Sequence, residues 1–285
     1  MSSELDTVVD RIVERVRARI QEEQAPPLPE VRGTWHDESS ARLALSSGCA
    51  RLGMSGAEPL QAAPPSDLAR LIDHTLLKPT ATRKDIERVC AEARKYSFAS
   101  VCVNTTWIGL VARLLEGSAA KPICVVGFPL GAMSMQGKAD ETRHAITAGA
   151  GEIDMVLNIG ALKSGDYDTA LEDIRQVVAA AQGRPVKVIL ETAMLDRDEK
   201  IAASALCKAG GAAFVKTSTG FGGGGATVED IALIRAVVGP AMGIKASGGV
   251  KTADDIKSLV AAGATRVGAS ASVAIVTGGA GTGGY

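Results

Sequence analysis

From Leu68 onward, short apolar runs alternate with longer amphipathic ones, and this alternation limits the fold more than any other feature of the chain. The strand-like runs are LARLIDHTLL, ASVCVN, PICVVGF, EIDMVLN, VKVILETA, AFVKTST, GIKASGG and TRVGAS. Between them lie helical patterns such as TRKDIERVCAEARKY, ETRHAITAGA, DTALEDIRQVVAAA, DRDEKIAASALCKAG, TVEDIALIRAVV and TADDIKSLVAAG. Cap chemistry opens several of these, as in Thr82 with Asp85, Thr227 with Asp230 and Thr252 with Asp255. Eight strand–helix units in roughly 210 residues predict an α/β fold of the (β/α)8, or TIM barrel, type. A doubly wound open sheet is the competing arrangement.

Side-chain parity separates the two. Ile153, Met155 and Leu157 share one face of their strand, with Asp154, Val156 and Asn158 on the other. In the same way Val186, Val188 and Leu190 oppose Lys187, Ile189 and Glu191. Val215 opposes Phe214, Lys216 and Ser218, and Ile244 and Ala246 oppose Lys245 and Ser247. Central strands of an open parallel sheet are covered by helices on both faces and read as continuous apolar runs. A polar face repeated on four consecutive strands fits the interior of a closed barrel instead.

Active sites of such barrels lie at the C-terminal ends of the strands. Polar residues late in these strands include Asp73, Asn104, Asp154, Asn158, Glu191, Lys216, Ser218, Lys245 and Ser247. The two lysines stand out, because an inward lysine is desolvated unless it is paired. A structural reading pairs Lys216 and Lys245 with Asp154 and Glu191. A chemical reading follows from their being on successive strands about 4.8 Å apart. Ammonium groups roughly 6 Å apart at an effective dielectric near 20 repel by about 2.8 kcal/mol, or about two pKa units. Burial adds to the depression. One amine would then be partly neutral near pH 7 and able to attack a carbonyl, with the second cation and a carboxylate beside it. Periodicity does not distinguish the nucleophile from its neighbour.

Three glycine-containing segments follow the last strands: Thr217-Ser218-Thr219-Gly220, Ser247-Gly248-Gly249 and Gly268-Ala269-Ser270. Loops in this position cradle phosphate through backbone N–H groups and helix N-termini. Three on neighbouring strands therefore predict a phosphate site.

Composition excludes several other classes. Lys+Arg of 31 against Asp+Glu of 32, with 3% aromatics, lacks the basic field and the stacking platforms of nucleic-acid binders. No run of about 18 apolar residues occurs, so no membrane helix is expected. The five scattered cysteines lack CxxC spacing, which suggests reduced thiols and a cytoplasmic protein with neither disulfide nor zinc framework. The three histidines are equally dispersed. Residues 1–66 read as an N-terminal extension: an amphipathic helix carrying Leu5, Val8, Val9, Ile12, Val13, Val16 and Ile20, then a linker with two proline clusters. The domain of residues 67–285 ends in a Gly-rich arm, Gly278 to Tyr285.

These residues resemble the deoxyribose-phosphate aldolases. The similarity runs from about Leu68 to the C-terminus through Ile72-Asp73-His74-Thr75-Leu76-Leu77-Lys78-Pro79, Ser100-Val101-Cys102-Val103-Asn104, Glu152-Ile153-Asp154-Met155-Val156 and Asn158-Ile159-Gly160-Ala161-Leu162-Lys163-Ser164-Gly165. It continues through Lys187-Val188-Ile189-Leu190-Glu191-Thr192, Phe214-Val215-Lys216-Thr217-Ser218-Thr219-Gly220-Phe221 and Ile244-Lys245-Ala246-Ser247-Gly248-Gly249-Val250. The resemblance implies a class I aldolase, without metal or other cofactor, that reversibly cleaves 2-deoxy-D-ribose 5-phosphate to acetaldehyde and D-glyceraldehyde 3-phosphate. Another small sugar phosphate is the alternative substrate, and a catalytically silent scaffold barrel is the reading from another class. The resemblance makes Lys216 the Schiff-base lysine, Lys245 the lysine that perturbs it, and Asp154 the proton-relaying carboxylate. Gly220, Ser247, Gly248, Gly249, Gly268 and Ser270 correspond to the phosphate cradle, with Asp73, Cys102 and Thr217 beside the site. Tyr285 resembles a C-terminal tyrosine that folds in to assist proton exchange. Partners would be the phosphorylated sugar, acetaldehyde and further copies of the chain in a homodimer or larger homo-oligomer, with no nucleic acid and no membrane. Two departures stand out. Ser270 is followed by Ala271, where the family often has a second serine, so Ser272 is the expected substitute. Asn104 is followed by Thr105-Thr106-Trp107, where a proline is common. Cys102 near the channel implies sensitivity to electrophilic aldehydes.

Overall fold

The structure is a computed structural model that describes residues 68–279 and the isolated position Arg11. Strands β1 (Ile72–Leu76), β2 (Ser100–Val103), β3 (Lys121–Val126), β4 (Glu152–Val156), β5 (Val186–Ile189), β6 (Phe214–Lys216), β7 (Gly243–Ser247) and β8 (Arg266–Ala269) form a closed parallel barrel. Closure comes from β8 pairing with β1, with Asp73 opposite Gly268. The open-sheet alternative is thereby excluded. No helix among the described residues is long and apolar enough to cross a membrane.

The helices are α1 (Arg83–Tyr96), α2 (Ile108–Leu114), α3 (Met135–Thr147), α4 (Ile159–Lys163), α5 (Tyr167–Ala180), α6 (Arg197–Ala209), α7 (Val228–Val238), α8 (Ala253–Ala261) and α9 (Ser272–Val276). Thr82 and Asp85 form a reciprocal capping box, as do Thr252 and Asp255, each satisfying two otherwise unbonded N-terminal amides. Thr227 caps α7 by accepting from the Asp230 amide. Helix α2 has no counterpart in the helical patterns of the sequence, because IGLVARL is short and apolar and its period is ambiguous. Helix α3 begins at Met135, ahead of the amphipathic run at Glu141, with Ser134 capping it through the Gly137 amide.

The outward strand faces and the inner helix faces make one large apolar core, from Ile72 and Ile86 through Val188 and Ile201 to Ile244 and Ile275. Inside the barrel the two sides differ. Leu77, Cys102, Ile123 and Val125 fill the interior near β1 to β3 with a small apolar cluster, and Phe128 packs on it. The side built by β4 to β8, joined by Asp73 of β1, carries buried charge instead. Apart from Arg11 and the arm's first two glycines, the proposed extension and the arm with Tyr285 lie outside the described residues.

Candidate active site

Lys216 is the last residue of β6, where a side chain of the inward parity emerges near the barrel mouth; it is 2% exposed. Its register partner on β7 is Lys245, and the partner of Lys245 on β8 is Arg266. Three cations thus stand side by side on adjacent strands. Asp154 faces them from β4, in register with Lys187 on β5. Lys216 and Lys245 both donate to one atom, Asp154 Oδ2, at 2.9 and 2.7 Å. Lys187 donates to Asp154 Oδ1 at 2.9 Å. Lys245 has a second carboxylate, Asp73 Oδ2, at 2.5 Å, whereas among the described residues Lys216 pairs with Asp154 alone. Asp73 also accepts from Ser100 Oγ at 2.6 Å and from Arg266 at 2.8 Å.

This inequality of partners separates the lysines electrostatically. Burial lowers the Lys216 ammonium most strongly; Asp154 opposes this, Lys245 adds to it, and the outcome is a value below that of an ordinary lysine. Burial also acts to lower Lys245, but Asp154 and Asp73 outweigh it and hold that ammonium well above the ordinary value. Burial would raise the Asp154 carboxyl, yet Lys187, Lys216 and Lys245 together hold it well below the carboxylate range. Lysine–lysine repulsion, the main cause expected from strand spacing, contributes but comes second to burial.

Glu191 pairs with neither lysine. It is in the left-handed conformation at φ 56° and turns its carboxylate to the next loop, accepting from the Thr219 amide at 3.2 Å and from the Thr219 hydroxyl. A Cβ on Gly222 would lie 2.4 Å from the Glu191 carboxyl carbon, so the glycine is what lets the loop close over it. Thr217 Oγ1 donates to the Ser247 carbonyl and accepts from the Ser247 amide, both at 3.0 Å, fastening β6 to β7. Gly220, Gly248 and Gly249 sit in the loops after these strands with positive φ. The buried hydroxyls of Ser218 and Ser247 have no hydrogen-bond partner among the described residues. Among the described residues no group of His, Cys, Asp or Glu is placed to hold a metal ion.

The β8 segment departs from expectation in two ways. Gly268 lies inside the strand rather than in the loop after it, and a Cβ there would meet Ser247 Oγ at 2.5 Å and Lys245 Cε at 3.1 Å. Its missing side chain makes room for the second lysine. Ser272 is fully buried, donating to the Ala269 carbonyl at 2.8 Å and meeting His74 Nδ1 at 3.0 Å. Both contacts tie its hydroxyl into the barrel wall. Ser270 is half-buried and lines a cavity of about 250 Å³ with Thr75, Lys78 and Arg88. Cys102 lies 4.0 Å from Asp154 but is fully buried, and burial pushes its thiol up to about 11.

Three charged residues went unrecognised as part of this cluster: Lys187, Glu152 and Arg266. Lys187 pairs with Glu152 at 2.6 Å as well as with Asp154, and Arg266 reaches Glu152 at 3.7 Å. Lys187 stood on the polar face of its strand in the sequence, and that parity was the available signal. Arg266 meets Asp73 only because the barrel closes, across 193 residues of chain.

Comparison with known proteins gives concordant results. Residues 68–283 match the family model described as DeoC/LacD family aldolase. A deoxyribose-phosphate aldolase of Halalkalibacterium halodurans is 56% identical over 220 residues, 76% of this chain and 98% of the relative. A crystal structure from Coccidioides immitis superposes with TM-score 0.74 at 39% identity, covering 86% of this chain and 98% of that one. A deoxyribose phosphate aldolase from Aeropyrum pernix, described as having a unique tetrameric structure, superposes with TM-score 0.70 at 32% identity, covering 75% and 91%.

Proposed function

The chain belongs to the DeoC/LacD aldolase family, and from that premise we propose that Lys216 is its Schiff-base amine, with Lys245 and Asp154 as its partners. The enzyme is a lyase of the class I aldolase type that cleaves 2-deoxy-D-ribose 5-phosphate reversibly to D-glyceraldehyde 3-phosphate and acetaldehyde. One observation carries the assignment of roles: two lysines share one carboxylate oxygen, and the one with no second carboxylate among the described residues is at the mouth.

The neutral Lys216 amine attacks C1 of the open-chain aldehyde, and the carbonyl oxygen takes a proton to give the carbinolamine. A second proton lets that oxygen leave as water, forming the C=N bond of the iminium. Asp154, within 2.9 Å of the amine, accepts and returns these protons, and Lys245 keeps it ionised while remaining charged itself. Carbon–carbon cleavage moves the C2–C3 electron pair into the iminium, giving an enamine. The C3 hydroxyl loses its proton and becomes the aldehyde of D-glyceraldehyde 3-phosphate. Protonation of the enamine at C2 and addition of water to the resulting iminium release acetaldehyde and restore the amine.

The loops at Gly220, Gly248, Gly249 and Ser270, together with Ser247, hold the substrate phosphate and fix C1 over Lys216. The absence of any basic excess in the chain makes this recognition local. Tyr285, outside the described residues, serves proton exchange at the enamine carbon. The enzyme acts in the cytoplasm, and it acts as a homo-oligomer; the tetrameric description of the Aeropyrum pernix relative supports the assembly. The test is a coupled assay for both aldehyde products from 2-deoxy-D-ribose 5-phosphate. Lys216→Met abolishes both; retention of cleavage in that variant removes the assignment.

A further inference from the structure

Below Lys216 the barrel holds a closed circuit of opposite charges. Lys187 contacts Asp154 at 2.9 Å, Asp154 contacts Lys245 at 2.7 Å, and Lys245 contacts Asp73 at 2.5 Å. Asp73 contacts Arg266 at 2.8 Å, Arg266 approaches Glu152 at 3.7 Å, and Glu152 returns to Lys187 at 2.6 Å. Phe214 forms the floor: the Lys187 ammonium lies 5.6 Å and the Arg266 guanidinium 5.7 Å from its ring centroid. Gly243 admits that ring, since a Cβ there would lie 2.2 Å from it. Three cations and three carboxylates alternate, so the circuit is neutral when all are ionised.

Among the described residues Lys216 attaches to this circuit at a single point, Asp154 Oδ2. We propose that the neutral ring decides which barrel amine is left without a proton: an ammonium at Lys216 would be an uncompensated fourth cation. Glu152, Lys187 and Arg266, none of which reaches the reacting carbon, then act as positioning residues for Lys216. This rests on the assignment of Lys216 as the nucleophile.

Every strand contributes to the account. The charged or titratable groups facing the cluster are Asp73 from β1, Cys102 from β2, Glu152 and Asp154 from β4, and Lys187 from β5. Lys216, Lys245 and Arg266 come from β6, β7 and β8, while β3 presents Ile123 and Val125. Cys102, with its thiol pushed up to about 11, contributes no charge near neutrality. Burial acts to lower both Lys187 and Arg266, but Asp154, Asp73 and Glu152 outweigh it at Lys187, and Asp73 and Glu152 at Arg266, so both stay above their ordinary values and neither gives up its proton in place of Lys216. An isolated ion pair in this position would cost desolvation at each member; a closed ring gives each charge two partners.

The proposal predicts shifts of opposite sign from two distant substitutions. Arg266 on β8 and Glu152 on β4 are each two strands from Lys216, about 10 Å, and a unit charge there shifts an amine by about one pH unit at an effective dielectric near 20. The experiment is the pH profile of kcat/KM for 2-deoxy-D-ribose 5-phosphate, whose acid limb reports loss of the Lys216 proton. Arg266→Met moves that limb up by about one unit, because a protonated Lys216 now balances the ring. Glu152→Gln moves it down by about one unit, and the double variant returns it to the wild-type position. Should Arg266→Met not fold, Lys187→Met carries the same upward prediction, and Arg266→Lys, which keeps the charge, keeps the limb in place. Limbs that move together, or stay fixed while thermal stability falls, overturn the ring and make these residues merely structural. Borohydride trapping of each variant with acetaldehyde, followed by peptide mapping, keeps the two readings apart: an adduct elsewhere than Lys216 removes the nucleophile assignment, independently of the limbs.

Discussion

Replacing Lys245 with leucine tests how the cluster divides its protons. Lys245 and Lys216 converge on one oxygen of Asp154, which places the two nitrogens in the same coordination shell. For two charges about 5 Å apart at an effective dielectric near 20 the repulsion is about 3 kcal/mol, or about two pKa units. Lys245→Leu removes that repulsion and leaves Asp154 to Lys187 and Lys216, so the Lys216 amine titrates higher. The sign follows from its direction in the intact site: a group held low rises when the cation holding it low is removed. The acid limb of kcat/KM moves up by about two pH units, and at pH 7 the neutral-amine fraction falls about 100-fold. Raising the pH restores part of the lost kcat/KM, because the defect is protonation of Lys216. The assay is the pH profile of aldehyde release, alongside a thermal melt that accounts for the buried carboxylates Asp73 and Asp154 losing a counterion. An unchanged acid limb in a folded variant refutes the reasoning, and so does a downward shift.

Further predictions concern residues with one structural task each. Gly268→Ala places a Cβ against Ser247 Oγ and Lys245 Cε; the overpacking costs about 1–3 kcal/mol in urea denaturation and lowers kcat by displacing the lysine. Lys138, fully buried, donates to Asp173 at 2.6 Å and to the Val156 carbonyl at the end of β4 at 2.9 Å. Lys138→Met strands Asp173 and costs about 3–5 kcal/mol, whereas Lys138→Met combined with Asp173→Leu recovers most of the loss. With its thiol pushed up to about 11 by burial, Cys102 resists iodoacetamide at pH 7 in the folded enzyme and reacts on unfolding, as peptide mass spectrometry reads. That outcome replaces the aldehyde sensitivity expected from its position near the channel.

The sequence revealed the architecture because two periods alternate in it, and parity alone discriminated the barrel from an open sheet. Asp154, Lys187, Lys216 and Lys245 were all visible on inward faces, since a charge in the middle of a strand is costly enough to demand an explanation. Their pairing was not visible. Glu191 had the same parity as Lys187, but a left-handed backbone carries its carboxylate to Thr219 in the next loop, and a glutamate gives no local sign of that conformation. Ser272 looked like a spare hydroxyl beside Ser270; helix α9 turns it into the wall, toward His74, 198 residues away in sequence. Arg266 and Glu152 join Asp73 and Lys187 through strands that are distant in the chain, so the ring exists only after closure. Gly268 read as a loop glycine because spacing shows that a side chain is missing and not what occupies the space.

The measurement closest to the central claim is reductive trapping. The wild-type enzyme is incubated with acetaldehyde and borohydride at neutral pH, digested, and each lysine-containing peptide is weighed. The account predicts one ethyl group, on Lys216, with the fully buried Lys245 and Lys187 unmodified. An adduct on Lys245, or none on any barrel lysine while cleavage proceeds, contradicts it.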